Sequence, residues 1–161
     1  MKTVKGLLGF PNPVNEKAAR VVAGAVAVLG LLALATGWEW LLVLLAYGFW
    51  ARVLTGPRLS PLGRFATRVA APRLGEPRYV PGPPKRFAQG IGAALTTAAA
   101  AAAIGFGATD LAGALLVGLV TAATLEAVFA LCLGCHLFAL LMRAGVVPER
   151  VCLECADIRA R

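Results

Sequence analysis

All four cysteines and the only histidine of the chain lie near its end, as Cys132-Leu133-Gly134-Cys135-His136 and Cys152-Leu153-Glu154-Cys155. A two-residue spacing lets both sulfurs of a pair reach one side of a helical turn, close enough to form a disulfide or share a metal. The separation of the two pairs matches that of zinc sites in soluble proteins. Three chemistries fit. In the first, Cys132 or Cys135, activated by His136, exchanges electrons or sulfane sulfur by thiolate attack, and a neighbouring cysteine resolves the product. In the second, Cys132, Cys135, Cys152 and Cys155, or three of them with His136, hold zinc or an iron–sulfur centre. In the third, Cys132 to His136 is a c-type haem attachment motif. That one fails if the motif faces the cytoplasm, since haem is attached on the other side.

The composition decides where such a site must sit. Of the 161 residues, 59% are hydrophobic and only 15% charged, with a mean hydropathy of +0.77. An ordinary globular domain carries about a quarter charged residues, so this chain belongs in a bilayer. Its length suits one small helical bundle spanning residues 1–161. The net charge of +8 would suggest nucleic acid in a soluble protein, but membrane topology accounts for every lysine and arginine, so no nucleic-acid partner is expected. Met1 to Arg20 lacks the apolar core and small-residue cleavage site of a secretory signal, so the first span is expected to stay in the mature protein.

Phe10-Pro11-Asn12-Pro13-Val14-Asn15-Glu16 cannot begin as regular helix, because each proline biases its predecessor to extended geometry, and Asn12 or Asn15 can cap a helix starting there. From Val21 to Ala51 the chain is apolar apart from Glu39. As one helix this would run about 46 Å against a hydrocarbon core of about 30 Å, so it is cut at Thr36-Gly37-Trp38-Glu39-Trp40. The first two spans are then 15–36 and 38–54. The loop 55–86 holds seven arginines and lysines and seven prolines, which marks an anionic membrane surface. Within it Ser60-Pro61 caps a short interfacial helix with Leu62, Phe65 and Val69 on one face. The third span, 87–108, is built of small residues, which suits a central helix or one that pairs with a second copy of the chain. The fourth, 111–142, would be about 48 Å long as a straight helix, and is followed by the cysteine-containing tail 143–161.

Every Lys and Arg falls in 1–20, 52–87 or 143–161. The expected fold is therefore an all-α membrane protein of four transmembrane helices in two hairpins. Both termini, the loop and the cysteines lie on the cytoplasmic side of the inner membrane. Glu126 then lies about 22 Å along the last span, in the inner half of the core, and Cys132 at its cytoplasmic edge, about 31 Å along. An acid at that depth is a candidate proton relay to the thiols, or a protonated carboxyl hydrogen-bonded between helices. On a continuous helix Glu126 and Cys132 would point about 120° apart, so a water or a group from another helix would have to bridge them. Cys132 and Cys135 could be packing residues, and His136 a satisfied interfacial histidine. Trp38, Trp40 and Trp50 suit interface anchors, and Arg52 and Arg143 the inner boundary.

The opening Phe10-Pro11-Asn12-Pro13-Val14-Asn15-Glu16, the ending Leu131-Cys132-Leu133-Gly134-Cys135 of the last span and the closing Cys152-Leu153-Glu154-Cys155 together resemble the bacterial membrane family classed as domain of unknown function 4395. The resemblance implies a small integral membrane protein. It also implies thiol or sulfur chemistry, because such proteins are often encoded near sulfurtransferases and thioredoxin-like proteins, and it assigns no catalytic residue. The expectation is thus a dithiol protein using Cys132, Cys135, Cys152, Cys155, Glu126 and His136, with a thioredoxin-like or rhodanese-like partner. The alternative is a scaffold whose cysteines bind zinc or an iron–sulfur centre.

Overall fold

A computed structural model describes residues 9–152 and Cys155. The amino-terminal Lys2 and Lys5, Leu153-Glu154 of the second cysteine motif, and Arg159 and Arg161 of the positively charged tail lie outside the described residues.

The chain is all-α. Three helices are long and apolar enough to cross a membrane: α1 (Glu16–Thr36), α4 (Gly82–Ala100, extended to Gly105 by a turn of π-helix) and α5 (Thr109–Phe129). Helix α2 (Trp40–Thr55) is apolar but shorter, at 16 residues. The outward faces carry Val28, Leu31, Leu32, Leu44, Val117 and Val128, all well exposed, while the interior is made largely of alanine. Water would penalise so much exposed aliphatic surface, and lipid would not.

The expected start of the first helix holds: Asn15 is its N-cap, and its side-chain oxygen accepts the Lys17 amide at 3.0 Å. Gly37, at φ 66°, closes α1 with a left-handed C-cap, as the cut in the apolar run requires. The opening motif also staples the central loop. Val14–Asn15 (β1) pairs antiparallel with Tyr79–Val80 (β2), Glu16 meets Arg78 at 3.0 Å, and Asn12 Oδ1 accepts the Gly82 amide at 2.8 Å where α4 begins. Helix α4 therefore starts five residues earlier than the expected boundary at 87, because Pro83 and Pro84 favour a first helical turn and Asn12 satisfies an amide there.

Two further expectations are corrected. The surface helix exists, capped by Ser60 as Pro61–Phe65 (α3) and continuing through Ala66–Ala70 in π geometry to Arg73. It buries Gly63, Ala66 and Ala71, while Phe65 points outward at 54% exposure. Small residues let its backbone lie close on α1, and the large ring goes to the lipid side. The stretch 111–142 is not one helix. It stops at Phe129, turns through Ala130 at φ 57°, and restarts as α6 (Leu133–Arg143).

Helix α1 packs chiefly on α5 and α2 on α4, with α4 also touching α5 and α6. The small residues of α4 are consumed in these contacts: a Cβ at Gly92 would overlap the Phe49 ring of α2, and Ala93 and Ala99 are fully buried. Trp50 is likewise tied to α4, its indole N–H donating to Thr97 Oγ1 at 3.0 Å.

Candidate functional site

The break in the last apolar stretch builds the site. Ala130 occupies the left-handed region that alanine avoids, and the chain is held there by Arg20 of α1. The Arg20 guanidinium donates to the Ala127 carbonyl at 2.9 and 3.0 Å and to that of Val128 at 3.0 Å. These are carbonyls that a helix end leaves without intrahelical partners, and a cation there also complements the helix dipole. With α5 stopped, Leu131 and Cys132 run extended and α6 begins afresh. Cys132 is its N-cap, with Sγ accepting the Cys135 amide at 3.3 Å.

Cys132 and Cys135 are joined as a disulfide, with Cα atoms 5.2 Å apart. Cys132 is only 6% exposed, whereas Cys135 is half-buried. Gly134 between them is required by packing: a Cβ there would come within 2.6 Å of Ala88 Cβ and 2.7 Å of Ala88 Cα on α4. A neighbour that is largely backbone cannot yield, so the pair can sit against α4 only with glycine at 134. His136 does not bond a sulfur. Its Nδ1 lies 2.9 Å from the Cys132 carbonyl, to which the His136 amide also donates at 3.1 Å. That carbonyl can only accept, so Nδ1 carries the proton and the imidazole supports the turn.

Cys152 and Cys155 form a second disulfide, with Cα atoms 5.3 Å apart. The tail folds back along α6: Cys152, 4% exposed, packs on Phe138 and Met142 beside Phe87 of α4. The Phe87 and Phe138 rings meet tilted, with centroids 5.6 Å apart. Among the described residues no three of His, Cys, Asp and Glu are gathered so as to hold a metal ion. The arrangement that a shared zinc or iron–sulfur centre needs is thus not assembled here, and each pair closes on itself.

Glu126 is neither alone nor a simple hydrogen-bonded acid. Its Oε1 lies 2.5 Å from Lys85 Nζ on the first turn of α4, with both side chains largely buried. A cavity of about 260 Å³ lies between α1, α4 and the break, and Glu126, Gln89 and Cys132 all line it. Between Glu126 and Cys132 there is therefore a space wide enough for several waters, with Lys85 of another helix beside the carboxylate. Arg52 is also buried, donating to Gln89 Oε1 at 2.8 Å and to Ser60 Oγ at 3.4 Å, and lying 4.6 Å from the Phe49 ring centre.

Lys85, Arg20 and Gln89 were not singled out from the sequence and Arg52 was read only as a boundary marker, because a positive charge near a membrane boundary reads first as a topological signal. For Lys85 a usable signal existed. In two antiparallel neighbours, the first turn of one lies level with the last turn of the other, which puts Lys85 beside Glu126 near the end of α5.

Comparison with known proteins bears on the chain as a whole. Residues 14–143 match the family described as Domain of unknown function (DUF4395), a stretch that includes the first cysteine pair and stops short of the second. No curated protein and no solved structure matches.

Proposed function

We propose, for a chain that belongs to the family described as Domain of unknown function (DUF4395), that it is a membrane-embedded dithiol protein. It exchanges electrons or sulfur with a thioredoxin-like or rhodanese-like partner at the cytoplasmic face of the inner membrane. Helix α2, flanked by Trp38 and Trp40, is the fourth span, and the spans form two hairpins with both termini inside. The observation that carries the reading is the Cys132–Cys135 pair at the start of α6. Cys135 is half-buried, and Cys132 is buried with its sulfur accepting the Cys135 amide at the head of the helix, where a departing thiolate is stabilised.

The exchange balances without a cofactor. A partner thiolate attacks Cys135 Sγ, the S–S bond breaks, and Cys132 leaves as a thiolate. The partner's second thiolate then attacks the mixed disulfide, releasing Cys135 and carrying away the oxidised partner disulfide. Two electrons have entered the pair, and two protons complete the dithiol. The Glu126–Lys85 pair, across the shared cavity, is the proton source for Cys132.

The protein purified without oxygen should be free of stoichiometric metal. It should also show a titratable disulfide between roughly −200 and −300 mV, the span of thioredoxin-type dithiols. Stoichiometric zinc or iron, lost together with bundle stability when Cys152 and Cys155 become serine, would instead establish the scaffold reading. The orientation has its own check. An Arg78→Cys reporter in intact cells should resist an impermeant thiol reagent added outside, and labelling there would invert the topology.

A further inference from the structure

We infer that the protein holds a singly charged amphiphile, a carboxylate or phosphodiester on an apolar body, in the cavity that ends at Arg52. The inference does not depend on the cysteine chemistry. This cavity, about 480 Å³, lies beneath the central loop. The Phe10–Asn15 segment, the first two turns of α1, the α3 region and the base of α4 enclose it. Its size is that of a small-molecule site.

Two features specify the occupant. First, the cavity has a cationic end and no acid: Arg52 and Lys85 line it, and none of its lining residues is Asp or Glu. Of the charges around it, Lys85 is paired with Glu126 and the buried Glu16 with Arg78, which leaves Arg52 without an ion pair among the described residues. A buried cation without a counter-charge is costly, and a monoanion removes that cost. Second, Arg52 is only 6% exposed, yet its Nη2 has no hydrogen-bond partner among the described residues. Its Nε and Nη1 are already committed to Gln89 and Ser60. An unsatisfied buried guanidinium nitrogen is rare in proteins and marks the place of an absent acceptor. The fixed planar fork suits an oxyanion better than a halide. The remaining walls, including Phe10, Val14, Ala19, Val22 and Pro77, are mainly apolar. A bare inorganic anion would leave them without contact, so the charged group must carry an apolar body.

The same chemistry is offered by a free fatty acid and by an anionic phospholipid, and the test separates them. Full-length protein in neutral detergent is titrated with laurate, lauryl alcohol and phosphatidylglycerol, and bound ligand is read by native mass spectrometry. One laurate should bind saturably, and the alcohol at least about tenfold more weakly, since it lacks the charge that Arg52 needs. Phosphatidylglycerol binding with laurate failing would identify the phospholipid as the source. Arg52→Gln should weaken binding about 10- to 100-fold. Ala19→Phe, which fills the cavity and keeps Arg52, should abolish it. Equal binding of laurate and lauryl alcohol, binding of neither anion, or retention of binding in Ala19→Phe would each overturn the inference. The acid-against-alcohol comparison uses the unaltered protein, so it decides even if Arg52→Gln does not fold.

Discussion

Replacing Cys132 by serine is expected to turn the protein into a trap at Cys135. In the native pair an incoming thiolate or disulfide reaches Cys135, because Cys132 is only 6% exposed and Cys135 is half-buried. Cys132 is the group that leaves and later resolves, since its sulfur already accepts the Cys135 amide at 3.3 Å at the head of an 11-residue helix. With reduced protein and oxidised glutathione as probe, the native protein should pass through a glutathione adduct and close to the internal disulfide. Cys132→Ser should accumulate a near-stoichiometric adduct on Cys135 that mass spectrometry locates. Cys135→Ser should leave the buried Cys132 modified at least about tenfold more slowly. Cys152 and Cys155 are replaced in all variants so that only the first pair is read. If Cys135→Ser forms the adduct as fast as Cys132→Ser, the assignment of attacked and leaving sulfurs is wrong. If neither variant forms one, the pair is structural.

The second large effect lies in the ion pair beneath the thiols. Lys85 and Glu126 retain only 9% and 15% side-chain exposure, so removing either strands a charge in the bundle. Glu126→Leu and Lys85→Met should each destabilise by about 3–5 kcal/mol, whereas the double variant should return close to the parent, because two apolar side chains need no compensation. A thermal or detergent-unfolding series over the four proteins measures the coupling. Additive losses, with the double variant worst, would mean that the two groups do not interact. This reverses the expectation for a lone protonated carboxyl, for which leucine would be harmless. The proton route is tested separately on Glu126→Gln. Thiol turnover that keeps its rate and pH dependence from about pH 5 to 9 in that variant removes Glu126 from the mechanism and leaves the cysteines in place.

The sequence by itself determined the features that arise from short-range chemistry and from the bilayer as solvent. Apolar runs longer than the hydrocarbon core had to be cut, and Gly37 and the Trp38–Trp40 segment marked where. Asn15 and Ser60 announced their helices because a side-chain oxygen must satisfy amides that lack intrahelical partners. The paired spacing of the cysteines already implied disulfide-capable turns, since that depends on two intervening residues and little else. The restart at Cys132 was not legible in the same way. Leu111 to Met142 is apolar without a proline, and its only interior glycines are compatible with membrane helix, so local preference favours continuation. What stops α5 is Arg20, 107 residues away in sequence from the carbonyl it holds. The roles of Lys85 and Arg52 were hidden for a related reason. A cation at a span's end satisfies the topology rule whether it faces phosphate headgroups or the bundle interior, and only the packing of α4 against α5 and α2 turns these two inward. The tertiary structure decided the site because partners from helices distant in sequence complete its charges and its helix ends.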